Sequence, residues 1–169
     1  MNQEWVIRSL EKNKEVFHSL LAGIDIQFQQ WRPAADKWNM QEILCHLLDE
    51  EIFDFRARVK HTLETPGDPM ASINPVGWVL EKNYAGWNYQ DTLEKFMQER
   101  LQSAAYLQNL KNINGQSVHQ HPQLGAMSAE NFLFNWLAHD YLHIRQINRY
   151  YYLFFKEQSE MDLSYAGNW

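Results

Sequence analysis

The sequence predicts an all-α fold, an antiparallel four-helix bundle with two long connections, and three observations carry that prediction. Apolar residues recur at helical spacing in four long segments. Glycine (7) and proline (5) are few among 169 residues, which argues against a turn-dense sandwich. No stretch shows the strict alternation of a half-buried strand. Hydrophobic residues at 45% and aromatics at 14%, seven Trp included, supply a packed core. The length suits one domain spanning residues 1–169.

The first helix runs from about Gln3 to Leu21, with Trp5, Leu10, Val16, Phe17, Leu20 and Leu21 among its apolar positions. Gly23 to Lys37 form a connector around the Trp31-Arg32-Pro33 turn. The second helix starts at Asn39, a good N-cap, with Glu42 placed to complete a capping box. Its apolar positions continue through Ile43, Leu47, Ile52 and Phe53 to Val59, and Pro66-Gly67 stops it. Residues 65–90 read as a long structured connector with a short helix near Val76 to Tyr84.

The third helix spans about Asp91 to Leu110, its periodic face supplied by Leu93, Phe96, Met97, Leu101, Ala104 and Leu107. A loop from Asn112 to Met127 leads to Ser128, the N-cap of the fourth. That helix carries Phe132, Leu133, Trp136, Leu137, Leu142, Ile144 and Ile147 and runs to about Phe155. Its end, Tyr150 to Phe155, is too apolar to stand exposed, and either a homodimer contact or the C-terminal tail would cover it.

Charge and cysteine usage narrow the function classes. The net charge is −6 and there is no Lys/Arg stripe, so no nucleic-acid partner is expected. Cys45, the one cysteine, excludes an intrachain disulfide and any multi-cysteine metal site. Glu4, Arg8, Glu11 and Lys12 interrupt the first turns, leaving no signal-peptide hydrophobic region. No uncharged stretch approaches the ~20 apolar residues of a membrane helix. The expectation is a cytoplasmic protein with a small-molecule substrate.

Three histidines carry the chemistry. His139 and His143 are four apart, so a helix stacks both imidazoles on one face, with Gln146 and Tyr150 below them and Trp136 at the edge. On the second helix His46 shares a face with Phe53 and Ala57, and Asp49 and Glu50 flank it. If the two helices pack together, three neutral nitrogens converge and leave open coordination positions, the mark of a reactive metal site. Asp49, Glu50, Asp140 and Gln146 are candidate partners for the imidazoles' second nitrogens. Spacing alone also fits plain core or boundary histidines, and both readings stand at this point.

Other motifs carry less. His139-Asp140 followed by His143 resembles the metalloprotease helix, but with Asp for Glu and the third histidine upstream, so a peptidase is not expected. His119 and His121, beside Pro122, read as part of a loop turn; His18 and His61 suit solvated or boundary positions. Cys45 points about 100° away from His46 and reads as a buried apolar residue.

Three stretches give the chain a resemblance to a known family. They are Trp38 through Glu51 with His46, the loop His121-Pro-Gln-Leu-Gly125, and His139-Asp-Tyr-Leu-His-Ile-Arg-Gln-Ile147. There the chain resembles the DinB-like (YfiT-like) superfamily of four-helix metalloproteins. The tail Tyr165-Ala-Gly-Asn-Trp169 is similar to the endings of some members.

The resemblance implies a bundle in which His46, His139 and His143 hold a divalent metal, zinc or nickel. Imidazoles as such also suit iron or copper. It further implies a metal- and thiol-dependent S-transferase acting on small electrophiles, with a low-molecular-weight thiol such as bacillithiol or mycothiol as cosubstrate. Arg145, Arg149 or Arg56 would receive the thiol's carboxylates. The alternatives are a metal-dependent hydrolase with Glu50 or Asp49 as base, and a non-catalytic, metal-bound stress-related dimer. No catalytic residue is assigned.

Overall fold

The computed structural model describes residues 2–110, 113 and 116–167. The start of the expected Asn112–Met127 loop and the last two residues of the Tyr165–Trp169 tail lie outside the described residues.

Helix α1 (Gln3–Leu21) opens on Asn2, whose side chain accepts the Trp5 amide hydrogen, and turns Val6, Leu10, Phe17 and Leu21 inward. A short α2 (Ile26–Gln30) lies within the first connector. Helix α3 (Met40–Asp49) has the expected capping box: the Glu42 amide donates to Asn39 Oδ1 (2.9 Å) and the Asn39 amide to Glu42 (3.0 Å). Such a cap contributes about 1 kcal/mol. Arg32 forks onto the same Glu42 carboxylate with two contacts of 2.6 Å, tying the connector to the helix start.

The second long helix is not α-helical throughout, as its periodicity predicted. Glu50–Phe55 form a π-helical segment between α3 and α4 (Arg56–Glu64). The wider turn shifts the inward register by about one residue. Phe53 and Ala57, expected on the His46 face, are exposed, while Phe55, Arg58 and Val59 face inward.

The second connection holds α5 (Trp78–Glu81) and a 3₁₀ turn (Tyr84–Gly86), then α6 (Tyr89–Asn109). A β-hairpin follows where only a loop was expected. Strands β1 (Val118–His121) and β2 (Gly125–Ser128) pair antiparallel, His119 opposite Met127 and His121 opposite Gly125. Four-residue strands are too short for alternation to stand out in a sequence. Helix α7 (Ala129–Ser159) is capped by Ser128, with Asn131 completing the box.

Four helical rods form the bundle: α1, α3 through α4, α6 and α7. Contacts along them give their directions. Phe17 on Phe96 (5.5 Å) and Arg100 donating to the Leu10 carbonyl run α1 antiparallel to α6. His46 beside His143 and Phe55 stacked on Trp136 (5.9 Å) run α3–α4 antiparallel to α7. The other two neighbouring pairs are parallel. Asn13 donates to Asp140 (3.0 Å) and Tyr151 to the Leu20 carbonyl (2.7 Å) between α1 and α7. Glu51 meets Arg100 and Arg56 meets Ser103 between the second rod and α6. Parallel neighbours need a connection that returns the length of the bundle, which the stretch between Glu64 and Tyr89 provides.

The first connector covers part of the apolar end of α7: Phe28 stacks on Phe154 (4.6 Å) and Trp31 packs edge-on against Tyr150 (6.0 Å), while Phe155 is exposed. No helix among the described residues is long and apolar enough to cross a membrane.

Candidate metal centre

His46 projects from α3, and His139 and His143 from consecutive turns of α7, into one point between the two rods. Their Nε2 atoms form a nearly equilateral triangle with sides of 3.2, 3.2 and 3.1 Å. Trp38 lies against the His46 ring (4.8 Å) and Phe55 against the His139 ring (5.0 Å). The structure thus brings together all three histidines singled out from the sequence.

The triangle has a simple consequence. Each neutral Nε2 is either a donor or an acceptor, never both. Three atoms of two kinds contain at least one matched pair, so the three contacts cannot all be hydrogen bonds. Protonation does not relieve this. Burial, followed by the charge of His143, pushes His46 down to about 3. Burial, then His143, His46 and Arg100, push His139 down to about 2, and burial lowers His143 against the opposing effect of Gln146. All three rings are therefore neutral near pH 7. A cation resolves the conflict by accepting three lone pairs at once. Ligand nitrogens ~2.0–2.1 Å from a single zinc ion stand roughly 3–3.4 Å apart, so the triangle fits such an ion.

The carboxylates expected behind the imidazoles are engaged elsewhere. Asp140 takes both arms of Arg100 (2.6 and 2.8 Å) and the Asn13 amide. Asp49 accepts from the Tyr84 hydroxyl (2.6 Å) and pairs with Lys82 (2.9 Å). Glu50 is buried beside Asp54; burial, then the Asp54 charge, push its carboxyl up to about 9. For Asp140 and Asp49, charged and hydroxyl donors outcompete a neutral imidazole; Glu50 Oε1 has no hydrogen-bond partner among the described residues. Gln146 does not take that place either; its side-chain amide donates to the Tyr150 hydroxyl (3.5 Å). The Nδ1 atoms of His46 and His143 have no partner among the described residues.

His139 also lines a cavity of about 840 Å³ bounded by α4, the 69–73 stretch, the hairpin and α7. Its walls mix Phe55, Met70, Phe132 and Leu142 with Asp54, Arg58, His119 and His121. Of these, Asp54 and Arg58 were not foreseen, although their i,i+4 spacing is a legible ion pair. The arginines proposed from sequence lie elsewhere. Arg145 and Arg149 are exposed, and Arg56 is bound to Glu99 (2.5 Å) and Ser103. Cys45 is buried as expected, and burial pushes its thiol up to about 12.

Fold and site together define a four-helix-bundle protein with a three-histidine cluster at the edge of a cleft. The chain belongs to the DinB superfamily, which it matches over residues 9–147. Among solved structures it is similar to YfiT from Bacillus subtilis, described as a probable metal-dependent hydrolase with an unusual four-helix bundle topology. The TM-score is 0.77 at 17% identity, covering 88% of this chain and 85% of that one, a likeness of fold. No curated protein matches the chain.

Proposed function

We propose that this chain is a metal-dependent enzyme that joins a low-molecular-weight thiol to a small electrophile. The observation that carries the proposal is the triangle of neutral, mutually incompatible Nε2 atoms beside a cleft of about 840 Å³. A divalent ion held by His46, His139 and His143, zinc or nickel foremost, supplies Lewis acidity that favours the ionised form of a thiol or of water. The three imidazoles carry no charge, so they leave the ion's positive charge uncompensated.

The protein's own groups favour a thiol. Among the described residues no carboxylate joins the histidine cluster. With no carboxylate base at the ion, a thiol near 8.5 gives up its proton far more readily than water near 15.7. Phe55, Phe132 and Met70 supply apolar walls that exclude water and hold the electrophile. A cytoplasmic location accords with this reading, since small thiols stay reduced there. The second reading is metal-dependent hydrolysis, which the fold likeness to YfiT favours.

The test starts with metal content of untagged protein beside His46→Ala and His143→Ala. About one equivalent in the wild type, lost in both variants, is expected. Turnover of an electrophile only with added thiol supports transfer, whereas ester cleavage without thiol supports hydrolysis. A wild type that takes up no metal on reconstitution defeats both.

A further inference from the structure

The stretch His121-Pro-Gln-Leu-Gly125 takes no part in the histidine triangle, yet the hairpin that contains it builds another wall of the same cleft. His121 Nδ1 accepts the amide hydrogens of Gln123 (3.2 Å) and Leu124 (3.1 Å), closing the turn before Gly125, whose φ is +72°. Backbone amides can only donate, so in the neutral ring this Nδ1 carries a lone pair and Nε2 the hydrogen. His119 lies two residues earlier, on the same face of the strand. Its Nδ1 stands 3.2 Å from the Pro66 carbonyl oxygen, which can only accept. The neutral His119 ring therefore holds its hydrogen on Nδ1 and a lone pair on Nε2.

Backbone partners thus fix two neighbouring cleft histidines in opposite tautomers, His121 as donor and His119 as acceptor. His119 is buried, and His61 packs edge-on against it at 5.4 Å. The other titratable groups along the cleft are not placed to compete. Arg58 and Asp54 are paired with each other, and the Nε2 of His139 belongs to the triangle.

We propose that His119 is a catalytic proton carrier of this cleft; the proposal rests on the metal-dependent transfer inferred above. The nucleophile gives its proton to His119 Nε2 and forms its new bond to the electrophilic carbon. The bond from that carbon to the leaving group breaks, and the leaving group takes the electron pair and then the proton from Nε2. Atoms and charge balance whether the nucleophile is a thiol or water.

The experiment uses the full chain reconstituted with zinc, with chlorodinitrobenzene and cysteine as the transfer probe and nitrophenyl acetate as the hydrolysis probe. His119→Asn keeps an amide donor where Nδ1 meets Pro66 and removes Nε2. It retains the metal of the wild type and loses about 100-fold or more in kcat with KM little changed. Added imidazole restores turnover to His119→Gly. A long-range proton–nitrogen NMR spectrum of the wild type shows the His119 hydrogen on Nδ1, a readout independent of activity.

Wild-type kcat in His119→Asn, loss of its metal, or a hydrogen on Nε2 of the wild-type ring overturns the proposal and leaves the metal reading intact. A metal-loaded wild type that turns over neither probe overturns both.

Discussion

Two buried polar clusters lie close together in this bundle and are built in opposite ways. Around Arg100 the charges alternate: Asp140 takes both guanidinium arms, and Glu51 accepts from Arg100 Nε (3.0 Å) and from Trp136 (3.1 Å). Burial pulls the guanidinium down, but the two carboxylates outweigh it and hold Arg100 above its ordinary value. Around His46 like meets like, with three neutral imidazoles and no complementary group between them. The difference teaches that burial alone does not mark a site. The first cluster pairs opposite charges and, with Leu10 and Asn13, ties all four rods together; the second has no internal counterpart and calls for a cation.

The largest expected effect breaks the complementary cluster. Arg100→Met leaves Glu51 and Asp140 buried without their counter-charge and costs about 3–5 kcal/mol in a denaturant melt. A loss under about 1 kcal/mol would show that the clamp is not what holds α6 to the π segment and α7.

Supplying the missing cation comes next. Zinc at 100-fold above its dissociation constant adds about 2.7 kcal/mol to wild-type stability. The same addition to His143→Leu leaves the thermal midpoint where it was.

The pH dependence of the metal-free chain separates the two kinds of burial. His46 and His139 are lowered to about 3 and about 2, and His143 is lowered too, from an ordinary 6.5. Below 6.5 the unfolded chain therefore binds more protons than the folded one, and stability falls with pH by up to about 1.4 kcal/mol per unit for each ring. Glu50, raised to about 9, and Glu51, also raised, act the other way, so their contribution is lost as pH climbs above an ordinary 4.5. The lowered histidines thus set the acid limb, below 6.5, and the raised Glu50 sets the alkaline limb. A stability maximum well below 5 in metal-free protein contradicts the lowered histidines.

The smallest effect has the opposite sign from the Arg100 variant. His143→Leu removes one of the three competing nitrogens, so it raises the stability of the metal-free chain by about 1 kcal/mol. Destabilisation there would mean that the triangle is an ordinary, satisfied part of the core.

Much of this was legible locally. The capping box at Asn39 and Glu42, the start of α7 at Ser128, and the shared face of His139 and His143 depend on residues three or four apart. The hairpin was missed because its strands are short, and with it the place of His119 in the cleft. Asp49 and Asp140 were misjudged because their partners, Lys82 with Tyr84 and Arg100, come from other elements.

The sequence by itself determined the helical rods, their caps and the family, since helix periodicity and capping are interactions between near neighbours in the chain. Only the tertiary structure decided the π segment, the parallel pairing of α1 with α7, and which carboxylate answers which donor. The π segment brings Glu51 to Arg100 and Trp136, side chains distant in sequence, and turns Phe55 instead of Phe53 toward His139. A one-residue change of register is invisible to a pattern that repeats every turn, because it is set by what waits on the facing helices.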